Sequence, residues 1–146
     1  MKTTIKTFNQ LSTTELYEIL QLRSEVFVVE QDCVYQDIDG KDEKALHILG
    51  IKNDAIVAYT RCFQPGDYFN EASIGRVVVK KSQRKFNYGN KIMLDSIKAI
   101  KQHYNTEIIK ISAQCYLNKF YTQLGFKNTG EEYLEDGILH VAMVKI

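Results

Sequence analysis

The segment KKSQRKFNYGNKIM, residues 80–93, collects the residue types that hold an anion. It lies between the β-branched run SIGRVVV and a stretch with Met93, Ile97, Ile100 and Tyr104 at helical spacing, so it reads as a turn from a strand into a helix. At such a junction several backbone N–H groups lack partners and the helix dipole adds positive potential. Glycine is favoured there because the backbone must adopt φ > 0 and let phosphate oxygens come close; Asn tolerates the left-handed conformation next best. Asn87 therefore reads as a substitute for a glycine, two residues ahead of Gly89. Arg84 and Lys85 add charge to the turn, and a pyrophosphate is its natural occupant. An ordinary strand-to-helix loop explains such a turn, taken alone, about as well.

Charge is unevenly placed along the chain. From Ala72 to Leu94 there are six Lys and Arg residues, Arg76 among them, and no Asp or Glu. The whole chain carries +1, so the remainder sums to −5, concentrated in EQDCVYQDIDGKDE and GEEYLEDG. A polyanion could dock on one region and a cation near the other, although solvated lysines on exposed turns are the plainer explanation. The run DIDGKD has neither the ligand spacing nor the terminal glutamate of a calcium loop, so no metal is expected. Arg23 raises another question. With Leu16, Leu20 and Phe27 it falls on an apolar helical stripe, where arginine is costly unless it meets an anion or snorkels out. Glu30 and Gln31 extend that face. An internal pair of Arg23 with Glu30 or an Asp answers the question as well as a role in a binding cleft does.

The elements that must position these residues form a mixed α/β (α+β) pattern in one domain spanning 1–146, with no linker, repeat or low-complexity stretch. TTIKTF alternates like a strand. STTELYEILQLRSEVFVVEQ opens with a capping box, Ser12 to Glu15, and continues as an amphipathic helix. HILGIK and IVAYTRCF, joined at Asn53 and Asp54, form a hairpin. SIGRVVVKK is a strand, the residues after Gly89 a helix, EIIKISAQ a buried strand, YLNKFYTQLG a short helix ending at Gly125, and ILHVAMVKI the closing strand. The N-terminus lacks the apolar core of a signal peptide and no apolar run could cross a bilayer, which implies a cytoplasmic protein. Three cysteines without CxxC spacing suggest reduced thiols. The net charge gives no reason to expect nucleic acid.

QCYLNKFYTQLGF places Tyr121 four residues before Gly125, on a short helix directly after a strand. By residue type alone, Phe120, Tyr121 and Leu124 read as core. Together, however, the turn R-x-x-N-x-G from Arg84 to Gly89 and the downstream FYTQLGF resemble the Gcn5-related N-acetyltransferase (GNAT) family. The blocks LRSEVFVVEQDCVYQDIDGKD, IGRVVV, SAQCYLNKFYTQLGF and EDGILHVAM, in that order, resemble its ElaA-type branch more narrowly. Asn87 departs from the first glycine of the family's turn. The resemblance implies a mixed, mostly antiparallel sheet flanked by helices, and an enzyme that moves an acetyl group from acetyl-CoA to a primary amine by direct attack. It implies that the turn from Arg84 through Lys85, Phe86, Asn87 and Tyr88 to Gly89 cradles the pyrophosphate. Val77, Val78 and Val79 would pair with the pantetheine arm, and Asn118 would join the cofactor contacts. Tyr121 would be the general acid, for which a phenol of pKa about 10 beside a thiol of about 8.5 is suited.

An attacking amine must lose a proton. His47, His140, Glu30, Glu135 and Asp136 are the candidate bases, and spacing does not choose among them. Glu30 and His140 are taken forward, while a histidine among apolar strand residues is most often a hydrogen-bonded core group. In the family the chain resembles, the end of the first helix borders the acceptor cleft, which implies an acceptor site at Arg23, Glu30, Gln31, Glu135 and Asp136; the acidic segments suggest that the acceptor is a small cationic amine. Acetyl-CoA and that amine are the expected partners, without nucleic acid, membrane or metal, and with room for a homodimer. Two other functions fit less well. An acyl-homoserine lactone synthase is usually longer and carries tryptophan, of which this chain has none. A CoA-binding module without chemistry would have no use for Tyr121.

Overall fold

A computed structural model describes residues 1–146 as one seven-stranded sheet with helices on both faces. The strands are β1 (Lys2–Thr7), β2 (Leu46–Lys52), β3 (Ala55–Phe63), β4 (Ala72–Val79), β5 (Ile109–Gln114), β6 (Lys127–Glu135) and β7 (Ile138–Lys145). Their spatial order is β1-β2-β3-β4-β5-β7-β6, with every neighbouring pair antiparallel except β4 and β5. No helix is long and apolar enough to cross a membrane.

The local signals are realised in side-chain detail. Ser12 Oγ accepts from the Glu15 amide at 3.0 Å, and Glu15 Oε1 accepts from the Ser12 amide at 2.8 Å, closing the capping box that starts α1 (Thr13–Arg23). Asn53 and Asp54 both take positive φ, as a two-residue hairpin of the favoured twist requires. The first helix, expected to run unbroken to Gln31, departs from that reading. At Ser24 it widens into a π-helical segment through Glu30. The buried face is then built from Ile19, Leu22, Arg23, Val26 and Phe27, while Leu16 and Leu20 stay half-buried. Such widened turns often mark functional sites.

A second departure is β6. The acidic GEEYLEDG lies within a hairpin of β6 and β7 turned by Asp136 and Gly137, both at positive φ. All nine β6 residues are exposed, so the strand lacks the apolar alternation by which strands are recognised.

Two apolar clusters hold the sheet. On one face α2 (Tyr88–Tyr104) places Ile92, Met93, Ala99 and Ile100 against Ile48, Cys62, Ile109, Ile111, Phe126 and Met143. On the other, Ile19, Leu22, Val26 and Phe27 cover Leu49, Tyr59 and Val78. β4 is irregular. Its register against β3 jumps between Tyr59 with Val78 and Arg61 with Gly75, and Arg76 at the jump has φ 48°. A bulge bends the strand that carries it. After pairing with β5 only at Ala72 and Ser73, β4 diverges, and a cleft opens between the two strands.

Candidate active site

The cleft measures about 580 Å³, within the range of small-molecule sites. One wall is the outer edge of β4 from Ile74 to Val79, the other Ile111, Ser112 and Gln114 of β5. The π-helical segment, the loop at Cys33 and Tyr35, the N-terminus of α2, and the β6–β7 turn close its ends. Since β4 has lost β5 beyond Ser73, alternate backbone groups of Val77 to Val79 face the cleft without a strand partner.

At one end, Lys81–Phe86 forms a 3-10 turn and Asn87 follows at φ 61°, ψ 29°, the left-handed conformation anticipated for it. α2 begins directly afterwards, so its free amides face the end of the cleft lined by Asn87, Gly89 and Asn90. A Cβ built on Gly89 would lie 3.6 Å from the Phe120 ring, ordinary contact, so packing within the protein does not demand this glycine. Replacing Asn87 by Ala is expected to cost about 1–2 kcal/mol in urea denaturation, because a Cβ without a local polar group opposes this conformation; Gly is expected to be tolerated.

Arg84 lies at the same end but is already engaged. Its guanidinium grips the Glu30 carboxylate with two hydrogen bonds, 2.5 and 2.8 Å, and its Nε donates to Val79 O at 3.1 Å. The hydrogen bond from Arg84 holds the Glu30 carboxyl below the usual carboxylate range. In this arrangement Glu30 is the counter-ion of Arg84 and is not free to take a proton from a substrate.

Tyr121 belongs to the short helix α3 (Asn118–Gln123), and its ring is wedged edge-on between Phe120 and Phe126. Only 6% of the residue is exposed, and that part lines the cleft. Burial raises the phenol's pKa well above its ordinary value, with Tyr116 adding to the shift. Across the cleft, His140 Nδ1 lies 2.7 Å from Ile138 O. A carbonyl only accepts, so Nδ1 carries a proton, and in the neutral ring Nε2 then holds the lone pair. Nε2 is 3.3 Å from Glu135 Oε2 at the cleft wall, an ion pair when the ring is protonated and a pair of acceptors when it is neutral.

A family model described as an acetyltransferase (GNAT) domain matches residues 8–146. The chain belongs to that family. Escherichia coli ElaA is 42% identical over 139 residues, covering 94% of this chain and 91% of ElaA. The crystal structure of E. coli ElaA superposes with a TM-score of 0.91 at 38% identity, covering 100% of both chains. A Pseudomonas aeruginosa acyl-CoA N-acyltransferase superposes with 0.94 at 35% identity, again covering 100% of both. An aminoglycoside 6'-N-acetyltransferase complexed with coenzyme A, 15% identical, shares the fold alone, with a TM-score of 0.73 over 97% and 96% of the two chains.

Within this GNAT domain the anticipated residues divide. Val77, Val78, Val79, Arg84, Asn87, Gly89, Tyr121, Glu30, Gln31, Glu135, Asp136 and His140 all line the one cleft. Lys85, Phe86 and Tyr88 do not. Phe86 and Tyr88 instead receive Lys52, whose Nζ is 3.8 Å from the centre of the Phe86 ring, and Lys85 Nζ lies over the same ring. Asn118 also lies outside, its amide donating to Asn128 Oδ1 at 2.7 Å. The amide that does face the cleft from this region is Gln114, which donates to Gln31 across it. Its place at the end of a buried strand was the available signal.

Arg23 is the largest correction. It has no exposed surface and takes no part in the cleft; it bonds Asp37 and Asp42 at 2.9 and 2.8 Å, not Glu30. Arg61 bonds Asp39 and Asp42, and Arg76 lies 2.7 Å from Asp37. Three arginines thus neutralise Asp37, Asp39 and Asp42, three of the four aspartates of the acidic segment. Arg76 is consequently no part of the anion turn, and these three carboxylates are not free to attract a cation. His47 is likewise internal, bridging Tyr59 Oη at 2.6 Å and Asp42 O at 2.9 Å.

Proposed function

We propose that the chain transfers an acetyl group from acetyl-CoA to a primary amine, which attacks the thioester directly while Tyr121 protonates the departing thiolate. The observation that carries this reading is the unpaired edge of β4, in one cleft with the N-terminus of α2 and with Tyr121. An extended arm bearing amides can add to that edge as a further strand. The α2 amides and Arg84 offer the pyrophosphate a charge-assisted site, in which it replaces the Glu30 carboxylate.

The acetyl thioester supplies the electrophilic carbon; the protein's part is to place groups and move protons. Glu135 and the His140 Nε2 lone pair are two acceptors that a substrate ammonium would satisfy together. On deprotonation Nε2 takes the proton, Nδ1 stays bonded to Ile138 O, and Glu135 opposes the new imidazolium charge. A C–N bond forms as the C–S bond breaks, and the Tyr121 proton goes to sulfur. The nitrogen, which arrived as an ammonium, sheds its second proton to solvent as the amide forms, and the phenol regains a proton from the imidazolium through solvent, so one proton is released per turnover.

The test is a thermal shift with acetyl-CoA, followed by thiol release over a panel of primary amines. Arg84→Ala is expected to raise the apparent KM for acetyl-CoA about tenfold or more, the worth of one charge-assisted hydrogen bond. Glu30→Gln, which removes the internal competitor, is expected to lower it. Stabilisation by acetyl-CoA without thiol release from any amine would leave a CoA-binding module instead.

A further inference from the structure

Where β4 parts from β5 the cleft has a side arm, a cavity of about 60 Å³ walled by Arg61, Phe63, Tyr68 and Ser73. It shares Ile74, Gly75, Arg76, Ser112 and Glu135 with the main cleft, so the two spaces adjoin. Three of its side chains carry buried donors without a hydrogen bond; Arg76 Nε is answered by Asp37 Oδ1 at 2.7 Å, which leaves Arg61 Nε and Ser73 Oγ without a partner in the protein, in residues 1% and 2% exposed. Buried polar groups of this kind are uncommon, and each calls for an explanation. β3 and β4 explain why the two converge. Phe63 lies directly opposite Ser73, and Arg61 is two residues along from Phe63, so all three side chains stand on one face of the sheet.

The geometry points to this arm as the receptor for a carboxylate on the acceptor, so that the amine acetylated is an amino acid or a similarly small amino carboxylate. The inference rests on the acetyltransferase reading and narrows its substrate. The polarity follows from the donors. Arg61 Nε–H can only donate, and the hydroxyl beside it is free to do so, so the complementary atoms are acceptor oxygens. Asp39 and Asp42 bond the two terminal nitrogens of Arg61, leaving the Nε edge without an anion. The space suits a carboxylate or about two waters. Glu135 lies at the junction of the two cavities, and its contact with His140 marks the place argued above for the ammonium. Ammonium at Glu135 and carboxylate at Arg61 and Ser73 therefore belong to one short molecule. A diamine would instead bring a second donor against the Arg61 Nε–H, which can only donate.

Two measurements on the full chain test this. In the first, the NMR signal of the Arg61 Nε–H is followed while γ-aminobutyrate, butyrate or n-butylamine is added. A saturable shift with the two carboxylates and none with n-butylamine is expected, with affinity about tenfold weaker in Ser73→Ala. In the second, kcat/KM by thiol release compares β-alanine and γ-aminobutyrate with n-butylamine and 1,4-diaminobutane. The amino carboxylates are expected to be preferred about tenfold or more, and Ser73→Ala to erase most of that preference. Ser73 Oγ has no internal hydrogen bond to lose, so the variant is expected to fold. An Arg61 signal unmoved by carboxylates, or a preference unchanged in Ser73→Ala, overturns the proposal; waters alone then fill the arm. A responding signal without thiol release from any amine keeps the arm and removes the acetyltransferase reading. Turnover of alkylamines with a silent Arg61 signal does the reverse.

Discussion

Tyr121→Phe is expected to lower kcat by about 10²–10⁴-fold, the contribution of a positioned general acid, while leaving the fold and acetyl-CoA affinity almost unchanged. The substitution keeps the ring wedged between Phe120 and Phe126 and removes only the hydroxyl. A purely structural tyrosine would behave in the opposite way: Phe would be nearly silent in turnover, and only Ala, by opening a cavity, would do damage. The raised pKa keeps the donor loaded but makes it a weaker acid, so the single-turnover comparison and not the electrostatics separates the two roles. A phenol whose pKa is raised by burial holds its proton throughout the neutral range, and the alkaline limb of a kcat profile would not come from Tyr121 below its ordinary value of about 10. Slow product release would mask the loss, so the comparison is of single-turnover rates; equal rates for wild type and variant would assign Tyr121 to the core.

Arg23→Met is expected to destabilise the protein by about 3–5 kcal/mol, because it breaks a buried ion pair by removing one partner. At this chain length that is a fall in Tm of roughly 10 °C. The guanidinium donates to Asp37 Oδ2, Asp42 Oδ1 and Asp37 O at 2.8–2.9 Å, and methionine satisfies none of them. Acid should reveal the same network. Burial alone would raise the carboxyl pKa values of Asp39 and Asp42, but the arginines outweigh it and both end below the usual range. A lowered pKa contributes stability that is fully present above the unfolded value of about 4 and is lost as pH falls through the folded value. Wild-type stability should therefore decline below about pH 4, and Arg23→Met, in which Asp42 has lost one of its two arginines, should decline less steeply over the same range. Urea denaturation at several pH values measures both slopes.

What the sequence disclosed was local. The capping box at Ser12, the hairpin at Asn53 and Asp54 and the left-handed Asn87 each depend on residues within a few positions of one another, and each is present. The place of the anion turn, between β4 and α2, was legible for the same reason. The fate of Arg23 was only half legible. Its burial among apolar residues announced an anionic partner, but Asp37 and Asp42 are 14 and 19 residues away and reach it only through the folding of a loop. β6 was hidden because exposure on both faces removes the alternation that identifies strands, though Asp136-Gly137 was a hairpin signal in plain view. Lys85, Phe86, Tyr88 and Asn118 came into the cofactor site with the motif as a whole, and a motif fixes the course of the backbone without fixing the direction of each side chain on a turn or a short helix.

The parting of β4 from β5 also determines how the two halves of the molecule can move. β1 to β4 and β5 to β7 are joined in the sheet by just two residue pairs, at Ala72 and Ser73, so little directional bonding resists displacement beyond that point. What joins the halves instead is the apolar face of α2, whose Ile92, Met93 and Ile100 belong to one cluster with residues of β2 and β3 on one side and of β5 and β7 on the other. Apolar contact is non-directional, and packed surfaces tolerate small sliding that a hydrogen-bonded ladder would not. The cleft is a compliant seam in an otherwise stiff sheet, one that can widen or narrow by shear about Ala72 and Ser73 without breaking a single strand pairing.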